Sequence, residues 1–233
     1  MSIDLGLNNL ATCVENRNRK PLIISGKVLK AINNQWNKKR SKLYSMKDKQ
    51  DIKWTSQLSC IDFKRNSIVK DYLHKTARFI IEYCLKNKIG NICLGQLKNI
   101  KKNIQMGRRN NQNFLNIPIT KLKQCIKYKA KLVRIKIYEM TEAYTSKCSS
   151  LDLEPIKKHK KYIGKRLNRS LFKGSNYLLN ADVNGALNIL RKVIGNDFIS
   201  NLSDKGCWFQ PVRIRNLFQT SHEQFLLRST VTI

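Results

Sequence analysis

Three carboxylates stand in apolar or small-residue frames: Asp4 in SIDLGLNNLAT, Glu142 in EAYTSKC and Asp182 in NADVNGALNIL. With 46 Lys/Arg against 15 Asp/Glu and a formal net charge of +31, an acidic residue in a buried-looking setting needs a cause. Divalent metal is the simplest one. Carboxylate oxygens suit Mg2+ or Mn2+, and a pair of such ions clamps the attacking and leaving oxygens of a phosphodiester during in-line displacement. A surface of this charge also attracts phosphate polymers. Asp182 has a second reading, because an aspartate at a helix start also caps the helix.

The elements around these residues follow from periodicity. Ile3, Leu5 and Leu7 alternate with Asp4 and Gly6, Leu10 to Val14 is a second short apolar run, and Pro21 to Ser25 a third. They predict three antiparallel strands joined by polar turns. From Val28 to about Lys49 the spacing becomes helical, with Trp36 on the face of Leu29 and Ile32, either as a packing residue or as a base-stacking one. A helix over 65–86 carries the stripe Ile68, Tyr72, Leu73, Phe79, Ile80, Tyr83 and Cys84. His74 beside that stripe reads as structural, since no acid or nucleophile pattern accompanies it. NICLG (91–95) is a strand, Pro118 opens a helix to Leu132, and Val133, Ile135 and Ile137 alternate in a strand leading to Glu142. A last helix begins near Ala181 and buries Ala186, Leu187, Leu190 and Ile194, leaving Asp182 in its first turn. This order predicts an α/β fold: an RNase H-like mixed five-stranded sheet with flanking helices and a basic insertion.

Charge locates the polyanion-facing region. Between Lys98 and Lys173 there are 21 Lys/Arg and 4 Asp/Glu, a net +17. The candidate nucleic-acid contacts are Lys102, Arg108 and Arg109 in a polar stretch with little periodicity, and Lys165, Arg166 and Arg169 in GKRLNRS. Thr145, Ser146 and Lys147 directly follow Glu142, either to hold a strand phosphate or to cap the following turn. No apolar run reaches membrane-spanning length, and no basic-then-apolar leader opens the chain. Seven scattered cysteines, none in a Cys-x-x-Cys pair, predict a reduced cytoplasmic or nucleoid-associated protein that is not secreted and has no zinc site.

The wording and order of SIDLG, YTSKC and ADVNGALNIL, with QNFLNIP (112–118) and YKAKL (128–132), resemble the RuvC-like nuclease half of the TnpB (OrfB) proteins of insertion sequences, from Ser2 to about Lys192. The resemblance implies a RuvC-like nuclease domain over 1–194, with the basic insertion at 149–179 and a C-terminal tail over 195–233. It further implies two-metal cleavage of DNA with Mg2+ or Mn2+, and DNA and a transposon-derived guide RNA as partners. Asp4 and Asp182 match the first and third carboxylate positions of the family. Many relatives end the fourth strand on the middle glutamate, where this chain has Gln96, while one branch uses a glutamate beside the YTSK motif, which Glu142 matches. Glu139 is its rival, because it shares the strand phase of Ile135 and Ile137.

Two features depart from the family. Many relatives carry a four-cysteine zinc module between the second and third motifs, whereas the matching segment here has no cysteine. Full relatives also carry a guide-binding lobe before the first strand, and only three residues precede Asp4, so a truncated, split or internally initiated copy is expected. A catalytically inactive nucleic-acid-binding remnant is the alternative to the nuclease. A phosphotransferase of the actin-like ATPase class is a third reading, suggested by Ile-Asp-Leu-Gly and opposed by the lack of a later Gly-rich phosphate loop.

Overall fold

A computed structural model describes residues 1–96, 117–200 and 205–219. Its centre is a mixed six-stranded sheet in the order β5-β4-β1-β2-β3-β9. The strands are β1 (Ser2–Leu5), β2 (Asn9–Val14), β3 (Leu22–Ser25), β4 (Asn91–Gln96), β5 (Lys136–Thr141) and β9 (Val212–Ile214). β1 runs antiparallel to β2 and β2 to β3, while β4, β5 and β9 join their neighbours in parallel. The register sets Asp4 opposite Thr12 and Ile3 beside Leu94.

Strand alternation sends the two faces to different partners. Ile3, Leu5, Ile92 and Leu94 pack with Tyr72, Leu73 and Ile80 of α2 (Ser56–Lys86) and with Leu122 and Ile126 of α3 (Ile119–Leu132). Val14 and Ile23 face the other way, against Val183, Ala186 and Leu187 of α4 (Ala181–Ile194). Helix α1 (Lys27–Lys49) buries Leu29 and Asn33, packs Val28 and Ile32 against the same core and is otherwise half-buried or exposed. Trp36 takes the packing role: its Nε1 donates to Asp62 at 2.6 Å, and the Arg40 and Arg65 guanidinium groups lie 5.3 and 4.9 Å from its ring.

Several boundaries differ from those expected. α2 starts nine residues before Arg65, because Thr55 caps it by accepting from the Leu58 amide at 3.3 Å, and Ile68 of the proposed stripe is 43% exposed. Val133 closes α3 rather than opening a strand, and Arg134 at φ 58° turns the chain before β5 begins. The sheet has six strands and not five. Its sixth, β9, comes from the segment expected to be a tail, which also buries Trp208 completely against α4 and Ile199. Replacing that ring with alanine would cost about 3–5 kcal/mol.

The basic insertion has a fold of its own, a three-stranded antiparallel sheet of β6 (Lys165–Arg166), β7 (Leu171–Lys173) and β8 (Leu178–Asn180). Side-chain hydrogen bonds staple it to the 148–155 loop. Asp152 accepts from the Ser149 hydroxyl at 2.5 Å and the Ser175 amide at 3.1 Å, and the Leu151 amide donates to the Tyr177 hydroxyl at 3.3 Å. Glu154 accepts from the amides of Ser149 (2.6 Å) and Ile163 (2.9 Å).

Candidate active site

Asp4 lies on the α4 side of β1, since Ile3 and Leu5 take the other face. Helix α4 approaches closely there. The Ser2 hydroxyl donates to the Ala186 carbonyl at 2.7 Å, and a Cβ on Gly185 would stand 2.9 Å from Asp4 Oδ2. Glycine at 185 therefore makes room for the carboxylate. On the neighbouring strand, a Cβ at Gly95 would overlap the carboxyl of Glu142, which folds back over β4 from the end of β5. Asp182 sits in the first turn of α4 without capping it: Asn180 is the cap, accepting from the amides of Asp182 (3.1 Å) and Val183 (3.3 Å). The Asp182 carboxylate instead accepts from Asn9 Nδ2 at 2.7 Å and Arg166 Nη2 at 3.0 Å.

The electrostatics record how near the three acids stand. Burial first, then the negative charges of Glu142 and Asp182, holds the Asp4 carboxyl well above the usual carboxylate range, against a smaller opposing pull from Arg166. Burial likewise pushes Glu142 up to about 7, opposed by Lys123 and Lys192. Glu142 Oε1 is buried with no hydrogen-bond partner. Among the described residues, no group of three or more His, Cys, Asp or Glu side chains stands close enough together to hold a metal ion as the side chains lie here. An orphaned buried carboxylate oxygen beside a like-charged neighbour is nevertheless a donor set that a hard cation fits.

Glu139 and Gln96 go elsewhere. The phase of β5 carries Glu139 to the α3 side, where it pairs with Lys123 at 3.0 Å and with Lys127 and accepts from Gln96 Nε2 at 3.1 Å. The structure thus sets Glu142 and Asp182 within electrostatic reach of Asp4 and leaves Glu139 neutralised by two lysines.

A second set of residues, unmarked in the sequence reading, fixes the loop that carries Glu142. Lys192 Nζ donates to the carbonyls of Thr141 (2.7 Å) and Ala143 (2.8 Å). Asn188 donates to those of Thr145 and Cys148 at 2.8 and 2.7 Å. Asn184 bonds the Cys148 carbonyl and the Ser150 amide, while Arg191 reaches the carbonyls of Ser149 and Glu154. Asn184, Asn188 and Arg191 recur at i, i+4 and i+7 along the buried face of α4, so each finds the same loop. The signal was visible: two asparagines at helical spacing within an apolar face need partners.

The candidate nucleic-acid contacts divide. Thr145 is buried, and its hydroxyl donates to the Glu142 carbonyl at 2.8 Å, which is the turn-capping role. Ser146 and Lys147 are exposed beside it, with Lys147 Nζ 5.9 Å from the Tyr162 ring. Lys165, Arg166 and Arg169 are exposed on the insertion, where Arg166 also bonds the Asn168 and Arg169 carbonyls. Lys102, Arg108 and Arg109 lie outside the described residues. His74 is exposed on α2, 3.8 Å from Cys125 Sγ.

Two segments of the chain match known family models. The family model OrfB_IS605, described as a probable transposase, matches residues 1–101, and that of the Cas12f1-like TNB domain matches residues 120–189. A TnpB-like protein of Methanocaldococcus jannaschii is 26% identical over 151 residues, covering 63% of this chain and 54% of that protein. The CRISPR-associated endodeoxyribonuclease Cas12f2 of a Micrarchaeota archaeon is 31% identical over 207 residues, covering 84% of this chain and 37% of the relative. The chain therefore spans about half the length of these relatives or less. Among solved structures, a Cas12f1–sgRNA–target DNA complex superposes with a TM-score of 0.61 at 23% identity, over 80% of this chain and 48% of that one. A CRISPR-Cas12f ternary complex superposes at 0.60 and 20% identity, over 80% and 37%. At such identities the superpositions speak for the fold alone, while the sequence matches run through the segments that carry all three acids: this chain belongs to the TnpB/OrfB family.

Proposed function

We propose that this chain forms the RNase H-like, RuvC-like nuclease portion of a TnpB-like protein and hydrolyses DNA phosphodiester bonds at a site made by Asp4, Glu142 and Asp182. The observation that carries the reading is the convergence of three acids, from β1, from the end of β5 and from α4, with one buried carboxylate oxygen left without a partner. Mg2+ or Mn2+ held by these acids would polarise the scissile phosphate and lower the pKa of the attacking water. The chain's own residues do the rest. Gly95 and Gly185 leave room for the carboxylates, Asn9 orients Asp182, and Lys192 with Asn188 pins the turn that presents Glu142. DNA and a guide RNA are the proposed partners, supported by the net charge of +31 and by the nucleic acids named in the solved Cas12f complexes.

The test pairs metal binding with cleavage. Mn2+ binding followed by electron paramagnetic resonance should weaken at least tenfold in Asp4→Asn, Glu142→Gln and Asp182→Asn, and hold in Glu139→Gln. Divalent-dependent cleavage of labelled DNA should fall in the same three variants, with the double variant hardly worse than either single one. A wild-type chain that binds Mn2+ no better than the triple variant would overturn the reading in favour of a nucleic-acid-binding remnant.

A further inference from the structure

The opposite side of the sheet from the three acids carries a second feature that they do not explain. Helices α2 and α3 pack there and leave between them an open groove of ≈ 780 Å³, within the roughly 300–1,000 Å³ that ligand sites occupy. Its floor includes the buried side chains of Val69 and Leu73. Two aromatic rings stand at its walls with their faces in solvent: Phe63 is 73% exposed and Tyr128 62% exposed. Among the described residues, every charged side chain lining the groove is basic, namely Arg65, Lys70 and Lys121, and no carboxylate lines it. The acids nearest in sequence are committed elsewhere, Asp62 to Trp36 and Arg40 and Asp71 to Lys75.

Large exposed rings beside a cationic, carboxylate-free channel fit one class of polymer better than others. A duplex offers phosphates but hides its base faces, and an acidic peptide offers charge without stacking faces. A single strand offers both at once, with a π-face on every base and a charge on every linkage. We infer that the α2–α3 groove is a docking track for single-stranded nucleic acid, with bases stacking on Phe63 and Tyr128 and phosphates meeting Lys70 and Lys121. The inference rests on the nucleic-acid partner proposed above, but not on the carboxylate site. A strand seated there lies on the face away from Asp4, so it is held without entering the catalytic side. The occupant is a single DNA strand, because only unpaired bases can reach the rings.

The experiment uses the full chain with Glu142→Gln in EDTA, so that cleavage plays no part, and follows anisotropy of a labelled oligothymidine and of a duplex of equal length across a salt series. Phe63→Ala and Tyr128→Ala should each weaken single-strand binding about tenfold and leave the salt slope and duplex binding unchanged. Lys70→Gln with Lys121→Gln should reduce the single-strand salt slope by about 1.4, since each phosphate contact contributes about 0.7. Exposed rings tolerate truncation, and thermal melts of the variants should overlay the parent. Equal single-strand affinity in the Phe63/Tyr128 double variant overturns the groove assignment, as does equal weakening for strand and duplex. A loss of self-association in that variant, seen by sedimentation, overturns it in favour of a second copy of the chain. If the parent binds neither strand nor duplex, the nucleic-acid partner itself falls, which is a different outcome from failure of the groove.

Discussion

Glu142 and Glu139 are three residues apart, and their replacement by glutamine should move stability in opposite directions. A Glu142 carboxyl held at about 7, against an ordinary 4.5, binds its proton more tightly in the folded chain than in the unfolded one. Stability therefore declines as pH rises from about 4.5 to about 7 and levels off above that. The full ionisation cost at about pH 8 is ~3 kcal/mol, and solvent reaching this half-buried side chain reduces it to about 1–2 kcal/mol. Glutamine keeps the shape and carries no charge. Glu142→Gln should thus melt about 2–6 °C above the wild type at about pH 8 in EDTA, with the gap closing at about pH 4.5. Glu139→Gln gives up the ion pairs with Lys123 and Lys127 on a side chain that is 24% exposed, so it should lose about 0.5–1 kcal/mol and melt about 1–4 °C lower at the higher pH. Scanning calorimetry of the three proteins at both pH values decides it. A Glu142→Gln protein less stable than the wild type at about pH 8 in EDTA would refute the reasoning, because the carboxylate would then be stabilised by a partner.

Other outcomes follow from the same geometry. Gly95→Ala should displace the Glu142 carboxyl and weaken Mn2+ binding at least tenfold while leaving every candidate ligand in the sequence; unchanged binding would show that Glu142 takes no part. Asn188→Leu should strip the Thr145 carbonyl of its buried donor, leave the Cys148 carbonyl with Asn184 alone and cost about 2–4 kcal/mol in chemical denaturation, whereas Lys147→Ala on the exposed turn should stay within about 0.5 kcal/mol. Duplex DNA binding should fall steeply with salt, with about 0.9 per neutralised phosphate on a log-log plot; an affinity flat across that range would remove charge as its source.

The three N-terminal strands, the phase of Asp4 opposite to Ile3 and Leu5, and the helix bearing Asp182 were legible because each rests on a local pattern: period-two alternation from Ile3 to Leu5, and an apolar stripe from Ala186 to Leu190. Less local features were not. β9 is three residues long, and its place comes from parallel pairing of Val212 with Leu22, far apart in the chain. The strands of the insertion are two or three residues each, too short for periodicity, and are held by Asp152, Glu154 and Tyr177. The choice between Glu139 and Glu142 was open in sequence for a physical reason. The phase of β5 was read correctly, but it delivers Glu139 to the lysines of α3, and Glu142 lies beyond Thr141, where alternation no longer predicts direction. The early start of α2 depended on a single cap at Thr55, ten residues ahead of the expected helix at Arg65.

The ladder from Asn184 to Lys192 has a mechanical consequence. Because α4 both carries Asp182 and grips the turn after Glu142, a shift of that helix acts on both acids, while Glu142 is also tied to the sheet through β5 and Asp4 through β1. Such a shift changes the distance to Asp4 at the seam between β1 and α4, where the Ser2 bond to Ala186 and the close approach of Gly185 to Asp4 set the spacing. A load on the insertion therefore reaches the acids by two routes, through the loop stapled by Glu154 and directly through the Arg166–Asp182 ion pair.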